Sequence, residues 1–229
     1  MTAFRRELAR TRAMAWKDLR TERRSLAAFN SVLFLALLMM LLFGFALGPD
    51  AQGLRDAAGG VIWLAILFSG VLAFNRSYQI ELDDNALETL LLYPGARWPI
   101  FIGKLVANLV FVLAVEVILV PLAAILFHVE LMTALLPLAA VLVLGTFGFV
   151  TLGTFYAAVA SRTQAREILL PLLLLPMLVP VLIAAAKATG ALTMGDVMGD
   201  AGSWIRLLVV FDLIFLTASI AVFDSVIGG

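Results

Sequence analysis

The chain has 229 residues, of which 63% are hydrophobic and 14% are charged. Soluble domains average about 45–50% apolar and about 25% charged residues, so this composition excludes an ordinary water-soluble protein. Sixteen basic residues balance sixteen acidic ones, so the chain lacks the positive net charge that would favour nucleic-acid binding. The absence of cysteine excludes disulfides and thiolate metal sites.

The first 24 residues are basic and have the periodicity of an amphipathic helix. One face carries Phe4, Leu8, Ala15 and Leu19. The opposite face carries Arg6, Arg10, Lys17, Arg20 and Arg24. We therefore expect residues 1–28 to form an amphipathic interfacial (elbow) helix on the inner leaflet, with a solvated topogenic tail as the alternative.

Six apolar stretches follow, and each is long enough to cross a bilayer, which takes about 20 residues. We place the spans at residues 29–47, 57–74, 101–127, 132–159, 168–188 and 204–226. Thirteen of the sixteen Lys and Arg residues lie in the leader and near the loops after spans two and four. The positive-inside rule then puts both termini in the cytoplasm of a bacterial cell. The predicted fold class is all-α, a multi-pass inner-membrane protein whose residues 29–229 form one six-helix unit.

The cytoplasmic loop of residues 75–100 contains the pattern of a short helix. Asn85 is a predicted N-cap that Glu88 reciprocates three residues later, and Pro94 ends the helix. Its apolar face holds Leu87, Leu90 and Leu91. Such a helix at a membrane surface is suited to docking into a groove on another protein, or it packs on its own bundle.

Polar and helix-breaking residues inside the spans are the other candidates for function. Pro176 and Pro180 lie one turn apart in span five and predict either a gating hinge or a static bend. Glu116 and Asp212 are intramembrane carboxyl groups, which are costly enough to count as functional candidates. They line a polar pathway, accept a hydrogen bond from a partner subunit, or lie protonated in a helix interface.

His128 and a set of small residues complete the candidates. His128, with Met132 four residues later, is a weak match to an axial haem pair, and a solvated interfacial histidine is the simpler interpretation. Small residues let helices approach closely, and we expect a packing role for Ser69, Gly70, Gly145, Gly148 and Gly153.

Several catalytic motifs are absent from the sequence. It contains no G-x-x-x-x-G-K-[ST], no H-E-x-x-H and no G-x-S-x-G. We therefore predict that the chain is not an enzyme and that any ATP hydrolysis comes from another polypeptide. A membrane enzyme using Glu116, Asp212 or His128 as acid–base groups is the least favoured alternative.

The order of these features resembles the type-2 ATP-binding-cassette (ABC) exporter permeases. More narrowly, the segments Trp63 to Ser77, Glu81 to Pro94 and Arg166 to Pro180 are similar to the CcmB family, the permease subunits of the cytochrome c maturation system. Lys17 to Arg20 in the leader fits the same family. The resemblance extends over essentially the whole chain.

The resemblance implies partners and roles. A CcmA-like ATPase subunit that binds ATP and Mg²⁺ would dock on a coupling surface formed by Glu81, Asp84, Leu87, Glu88, Leu91, Pro94 and Arg97. CcmC-like and CcmD-like membrane subunits, the haem chaperone CcmE and a second copy of this chain are the other expected partners. Haem is the implied substrate, with no cofactor and no metal held by this chain.

Three functional hypotheses follow. In the first, the chain is a permease subunit for haem export or for ATP-driven release of haem-loaded CcmE, with Pro176 and Pro180 in the moving helix and Glu116, Asp212 and His128 in a pathway or subunit interface. In the second, it is a mechanical coupling subunit that transports nothing. In the third, it is a type-2 permease for another apolar substrate.

Overall fold

The computed structural model describes residues 3–24, 26–48, 50–83, 96–130, 134–161, 166–195 and 199–228. Within these ranges the chain forms helices and no strands: α1 (Ala3–Arg24), α2 (Leu26–Leu47), α3 (Ala51–Asp83), α4 (Trp98–Phe127), α5 (Leu135–Ala160), α6 (Arg166–Thr193) and α7 (Asp200–Gly228). Six of them, α2 to α7, are long and apolar enough to cross a membrane. The predicted all-α, multi-pass fold class is confirmed.

The helices extend beyond the predicted apolar spans. α3 continues to Asp83, well past residue 74, and α6 continues to Thr193 rather than to residue 188. An apolar span ends where the hydrocarbon ends, whereas a helix continues while its backbone hydrogen bonds are satisfied. Polar residues such as Asn75 and Arg76 can therefore extend α3 beyond the membrane without a desolvation cost.

Successive spans run in opposite directions, and long-range contacts define the two ends of the bundle. One end, which we call the basic end, is where α1 lies against the start of α4. It also contains the starts of α2 and α6 and the ends of α3, α5 and α7. At the other, the far end, the Arg55 Nε donates to the carbonyl of His128 at 2.9 Å. His128 ends α4 in a left-handed conformation (φ 54°).

α5 packs against four other helices of the bundle, α3, α4, α6 and α7. Glycines make these contacts close, because a Cβ at Gly145 would overlap the ring of Trp63, and one at Gly153 would overlap the ring of Phe74. On the neighbouring helix, a Cβ at Gly70 would overlap the ring of Phe149. The predicted packing role of these small residues is confirmed.

α1 lies on the bundle through one side of the helix. Thr11, Met14 and Ala15 are buried, whereas Leu8 is 57% exposed and Trp16 is 65% exposed. Ala15, expected on the lipid-facing side, therefore contacts protein, while Leu8 remains outward. The exposed Trp16 is of the residue type that is enriched where a membrane meets water, which agrees with an interfacial position of α1. That position stays a prediction.

Candidate functional site

The predicted coupling surface lies at the basic end, between α3 and α4. Glu81 is in the last turn of α3, and Arg97 immediately precedes α4. The remaining predicted members lie outside the described residues: Asp84, Leu87, Glu88, Leu91 and Pro94. The described part thus gives the two attachment points of segment 84–95.

Arg97 is fastened to the end of α7. Its backbone N–H donates to Oδ1 of Asp224 at 3.2 Å, and its Nη1 donates to the carbonyl of Asp224 at 3.3 Å. Pro99 lies in the first turn of α4, where a missing N–H and a fixed φ favour helix initiation. Asp224 was not among the residues predicted from the sequence, where its only signal was an acidic residue near the end of the last apolar span.

A pocket of about 250 Å³ adjoins Arg97 at the junction of α1 and α4. Its lining is apolar with two guanidinium groups: Arg10, Ala13, Met14, Ala96, Arg97, Pro99 and Ile100. Arg10 Nη1 also contacts the Glu7 carboxylate at 3.1 Å. The pocket thus combines an apolar floor with basic groups that are themselves partly neutralised by neighbouring acceptors.

Glu116 is buried inside the bundle, where it faces α5 and α3. The Thr146 Oγ1 of α5 donates to Glu116 Oε1. Within the described part of the chain, neither Glu116 Oε2 nor the hydroxyl of Ser69 has a hydrogen-bond partner. Both residues line a cavity of about 10 Å³, which has room for one water molecule at most.

Asp212 of α7 is also buried, at 5% exposure, and lies against the other side of α5. A Cβ at Gly148 would lie 2.5 Å from Asp212 Oδ1 and 3.4 Å from Cγ1 of Val181. Gly148 therefore provides the space that the carboxyl group occupies between α5, α6 and α7. Among the described residues, neither Asp212 oxygen has a hydrogen-bond partner.

The two carboxyl groups lie on opposite sides of α5. Thr146 and Gly148, which contact Glu116 and Asp212 respectively, are two positions apart and so about 200° apart around the helix. α5 therefore separates the carboxyl groups, which do not form the paired arrangement that acid–base chemistry would use. No group of three His, Asp or Glu side chains suited to a metal ion occurs among the residues described.

Pro176 and Pro180, the predicted hinge, lie inside α6, which is helical from Arg166 to Thr193. Pro176 is exposed on the outer side of the bundle, and Pro180 is half-buried. The helix continues through both positions because a span surrounded by neighbouring helices tolerates the lost backbone donors. The hinge role remains a prediction.

His128 is exposed at the far end. Its left-handed backbone lets the N–H of Val129 donate to the carbonyl of Ala124 at 3.0 Å, which closes the last turn of α4. Met132, the other half of the weak haem pattern, lies outside the described residues. The position thus has a backbone role that its side-chain chemistry did not indicate.

Comparison with known proteins gives matches to one family. The family model described as CcmB protein matches residues 10–226. Heme exporter protein B of Rhodobacter capsulatus is 33% identical over 165 residues, which is 72% of this chain and 75% of that protein. The protein of that name from Haemophilus influenzae is 30% identical over 160 residues, 70% and 72% of the two chains. The Escherichia coli protein is 33% identical over 99 residues, 42% and 45% of the two chains. The chain belongs to the CcmB family.

Proposed function

We propose that this chain is the membrane permease subunit of an ABC complex for cytochrome c maturation, in a bacterial inner membrane with both termini in the cytoplasm. Membership of the CcmB family, whose matched relatives are named heme exporter protein B, carries the proposal. Since the sequence has no phosphate-binding loop motif, a CcmA-like partner binds ATP and Mg²⁺ and supplies the hydrolysis.

The basic end is the surface on which this partner docks. Segment 84–95 connects α3 to α4 in the sequence, and that sequence predicts a short helix with an acidic start and an apolar face. Glu81 and Arg97 flank that segment, and Arg97 is tied to α7 through Asp224. A displacement of the segment is therefore transmitted to several spans, as a two-state rearrangement of the bundle requires.

Haem is the proposed substrate, and mechanical coupling without transport is the second candidate. The cavity beside Glu116 has about 10 Å³, whereas pockets for drug-sized ligands have about 300–1,000 Å³. Other polar groups inside the bundle bind one another: Trp63 Nε1 donates to Thr189 Oγ1, and Asn108 Nδ2 donates to Thr154 Oγ1, both at 3.0 Å. These internal bonds favour a subunit that transmits force between helices.

The experiment that separates the two candidates measures haem content and ATPase rate on the purified complex of this chain with its ATPase. Stoichiometric haem on the two-component complex, with ATPase stimulated by added haem, supports haem export. Absence of haem, with ATPase that responds only when the CcmC-like and CcmD-like subunits and CcmE are present, supports mechanical coupling. A complex that responds to a different apolar compound and to none of these would contradict both.

Docking through segment 84–95 is tested with Leu87→Asp and Glu88→Lys. Each should abolish copurification of the ATPase, because the first puts a charge on the apolar face and the second reverses the acidic start of the predicted helix. Asp56→Lys is the matched control, since Asp56 is exposed in α3 near the far end. Normal ATPase binding by Leu87→Asp and Glu88→Lys would reject the assignment of the segment.

A further inference from the structure

Lys104 of α4 is a charged residue that the bundle buries almost completely. It is 1% exposed, although lysine is almost never fully buried unless it is paired. In the sequence it was one of the basic residues that set the predicted orientation of the spans, and with Gly103 it was one of the features that resemble the type-2 ABC exporter permeases. In the structure it lies at the point where three helices meet.

The ammonium group joins α4 to two other helices. Lys104 Nζ donates to the carbonyl of Ser77 in α3 at 3.0 Å, and it lies 3.4 Å from Oδ2 of Asp18 in α1. Asp18 is itself largely shielded, with 14% of its side chain exposed. The contact is therefore a partly buried ion pair with a second, neutral acceptor.

Glycine beside the lysine brings α1 into reach. A Cβ at Gly103 would lie 2.6 Å from Cβ of Met14 and 3.2 Å from the carbonyl of Thr11. Any side chain at position 103 would push α1 outward and lengthen the distance from Asp18 to Lys104. Gly103 and Lys104 thus act together to fix the position of α1 on α4.

The bond from Lys104 to Ser77 joins the two helices that precede and follow segment 84–95. Ser77 precedes the end of α3 at Asp83 by six residues, and Lys104 follows the start of α4 at Trp98 by six residues. At about 1.5 Å per residue, the contact lies about 9 Å inside both helix ends. A displacement of the segment that shifts either helix end therefore acts on this contact.

We propose that Lys104 is a positioning residue that couples segment 84–95 to the bundle, by holding α3 and α1 against α4 through Ser77 and Asp18. The inference rests on the proposed function, because it takes segment 84–95 to be the docking site of the ATPase. It assigns a role to Lys104 and Asp18 in transmission and none in docking.

The single and the double replacements give different expectations for stability. Replacing both members of a buried ion pair by uncharged groups of similar volume is often neutral or stabilising, whereas removing one member leaves a shielded charge without that partner and destabilises the protein. Lys104→Met removes one member, and the Asp18 carboxylate then keeps Lys17, whose Nζ lies 3.2 Å from Asp18 Oδ1. Lys104→Met should therefore lower the melting temperature of the complex, and the double variant with Asp18→Asn should recover part of that loss. Neither variant should retain the response of the ATPase to the CcmC-like and CcmD-like subunits with CcmE, which we call the haem-delivering subunits.

The test uses the intact complex of the chain with its ATPase and compares Lys104→Met, Asp18→Asn and the double variant. Lys187→Met is the matched control, because Lys187 is exposed on α6. Three quantities are measured: copurified ATPase, melting temperature, and stimulation of ATPase by added haem or by the haem-delivering subunits, whichever stimulates the complex of the unsubstituted chain. We expect normal ATPase binding in all variants, loss of stimulation in both single variants, and no further loss in the double variant.

The outcomes separate the inference from the proposed function. Failure of the unsubstituted chain to bind any ABC ATPase overturns the proposed function, and the inference falls with it. Normal binding with stimulation retained in Lys104→Met or in Asp18→Asn overturns the inference alone. If Lys104→Met does not assemble, Asp18→Asn decides, since it leaves the lysine and its bond to Ser77 in place.

Discussion

The hydrogen bond from Thr146 to Glu116 should stabilise the bundle by an amount that mutation can isolate. Thr146→Val keeps the shape of the side chain and removes the hydroxyl that donates to Glu116 Oε1. Glu116 Oε2 has no hydrogen-bond partner among the described residues. The variant therefore leaves the buried carboxyl group without a hydrogen-bond donor from those residues.

The expected loss follows from two bounds. Leaving a buried polar group unsatisfied costs about 1–3 kcal/mol, and hydrogen bonds between membrane helices average about 0.6 kcal/mol with a maximum near 1.7 kcal/mol. We expect Thr146→Val to lose about 1–2 kcal/mol of unfolding free energy. At about 2–4 °C for each kcal/mol in a chain of this size, the melting temperature should fall by several degrees.

Glu116→Met supplies the second arm of a double-mutant cycle. Replacing both partners by apolar groups of similar shape is nearly neutral, so the combination of Thr146→Val with Glu116→Met should be more stable than Thr146→Val alone. The cycle should give a coupling energy of about 0.5–2 kcal/mol, within the range for residues in contact.

Unfolding in mixed detergent and SDS micelles measures these free energies, with Thr217→Val as the matched control. The Thr217 hydroxyl is exposed and donates to the carbonyl of Leu213 in its own helix at 2.6 Å, so its loss should change stability little. If Thr146→Val is as stable as Thr217→Val, or if Thr146→Val and Glu116→Met are additive, the bond contributes nothing and the reasoning is refuted.

Two further predictions concern packing and topology. Gly153→Ala should destabilise the bundle by about 1–3 kcal/mol, because its Cβ would overlap the buried ring of Phe74. Gly60→Ala in α3 is the control, since Gly60 has open space around it. Equal melting temperatures of the two variants would contradict the prediction. Since the chain has no cysteine, single cysteines at the exposed positions Ala96 and Glu130 test orientation. An impermeant thiol reagent should label position 130 in spheroplasts and position 96 only after lysis, and the reverse pattern would overturn the topology.

Properties that depend on local composition were predictable from the sequence. Each span is a run of apolar residues long enough to cross the hydrocarbon, so the count of six and the all-α class required no knowledge of contacts. The helical leader was also predictable, because its charges recur with the period of a helix. The ends of α3 and α6 were not, since polar residues outside the membrane extend a helix without a hydropathy signal.

The pairing of side chains was decided by the tertiary structure. α2, α4 and α5 are apolar on all sides, so their periodicity does not tell which side meets which neighbour. The sequence singled out Glu116 and Asp212, but only the packing of α5 put Thr146 beside one and Gly148 beside the other. The sequence placed Lys104 near the cytoplasmic end of span three, but only the packing of α3 and α1 on α4 gave it Ser77 and Asp18 as partners. The physical reason is that hydropathy acts along the chain, whereas a buried charge or hydrogen bond is satisfied by residues that folding brings from elsewhere.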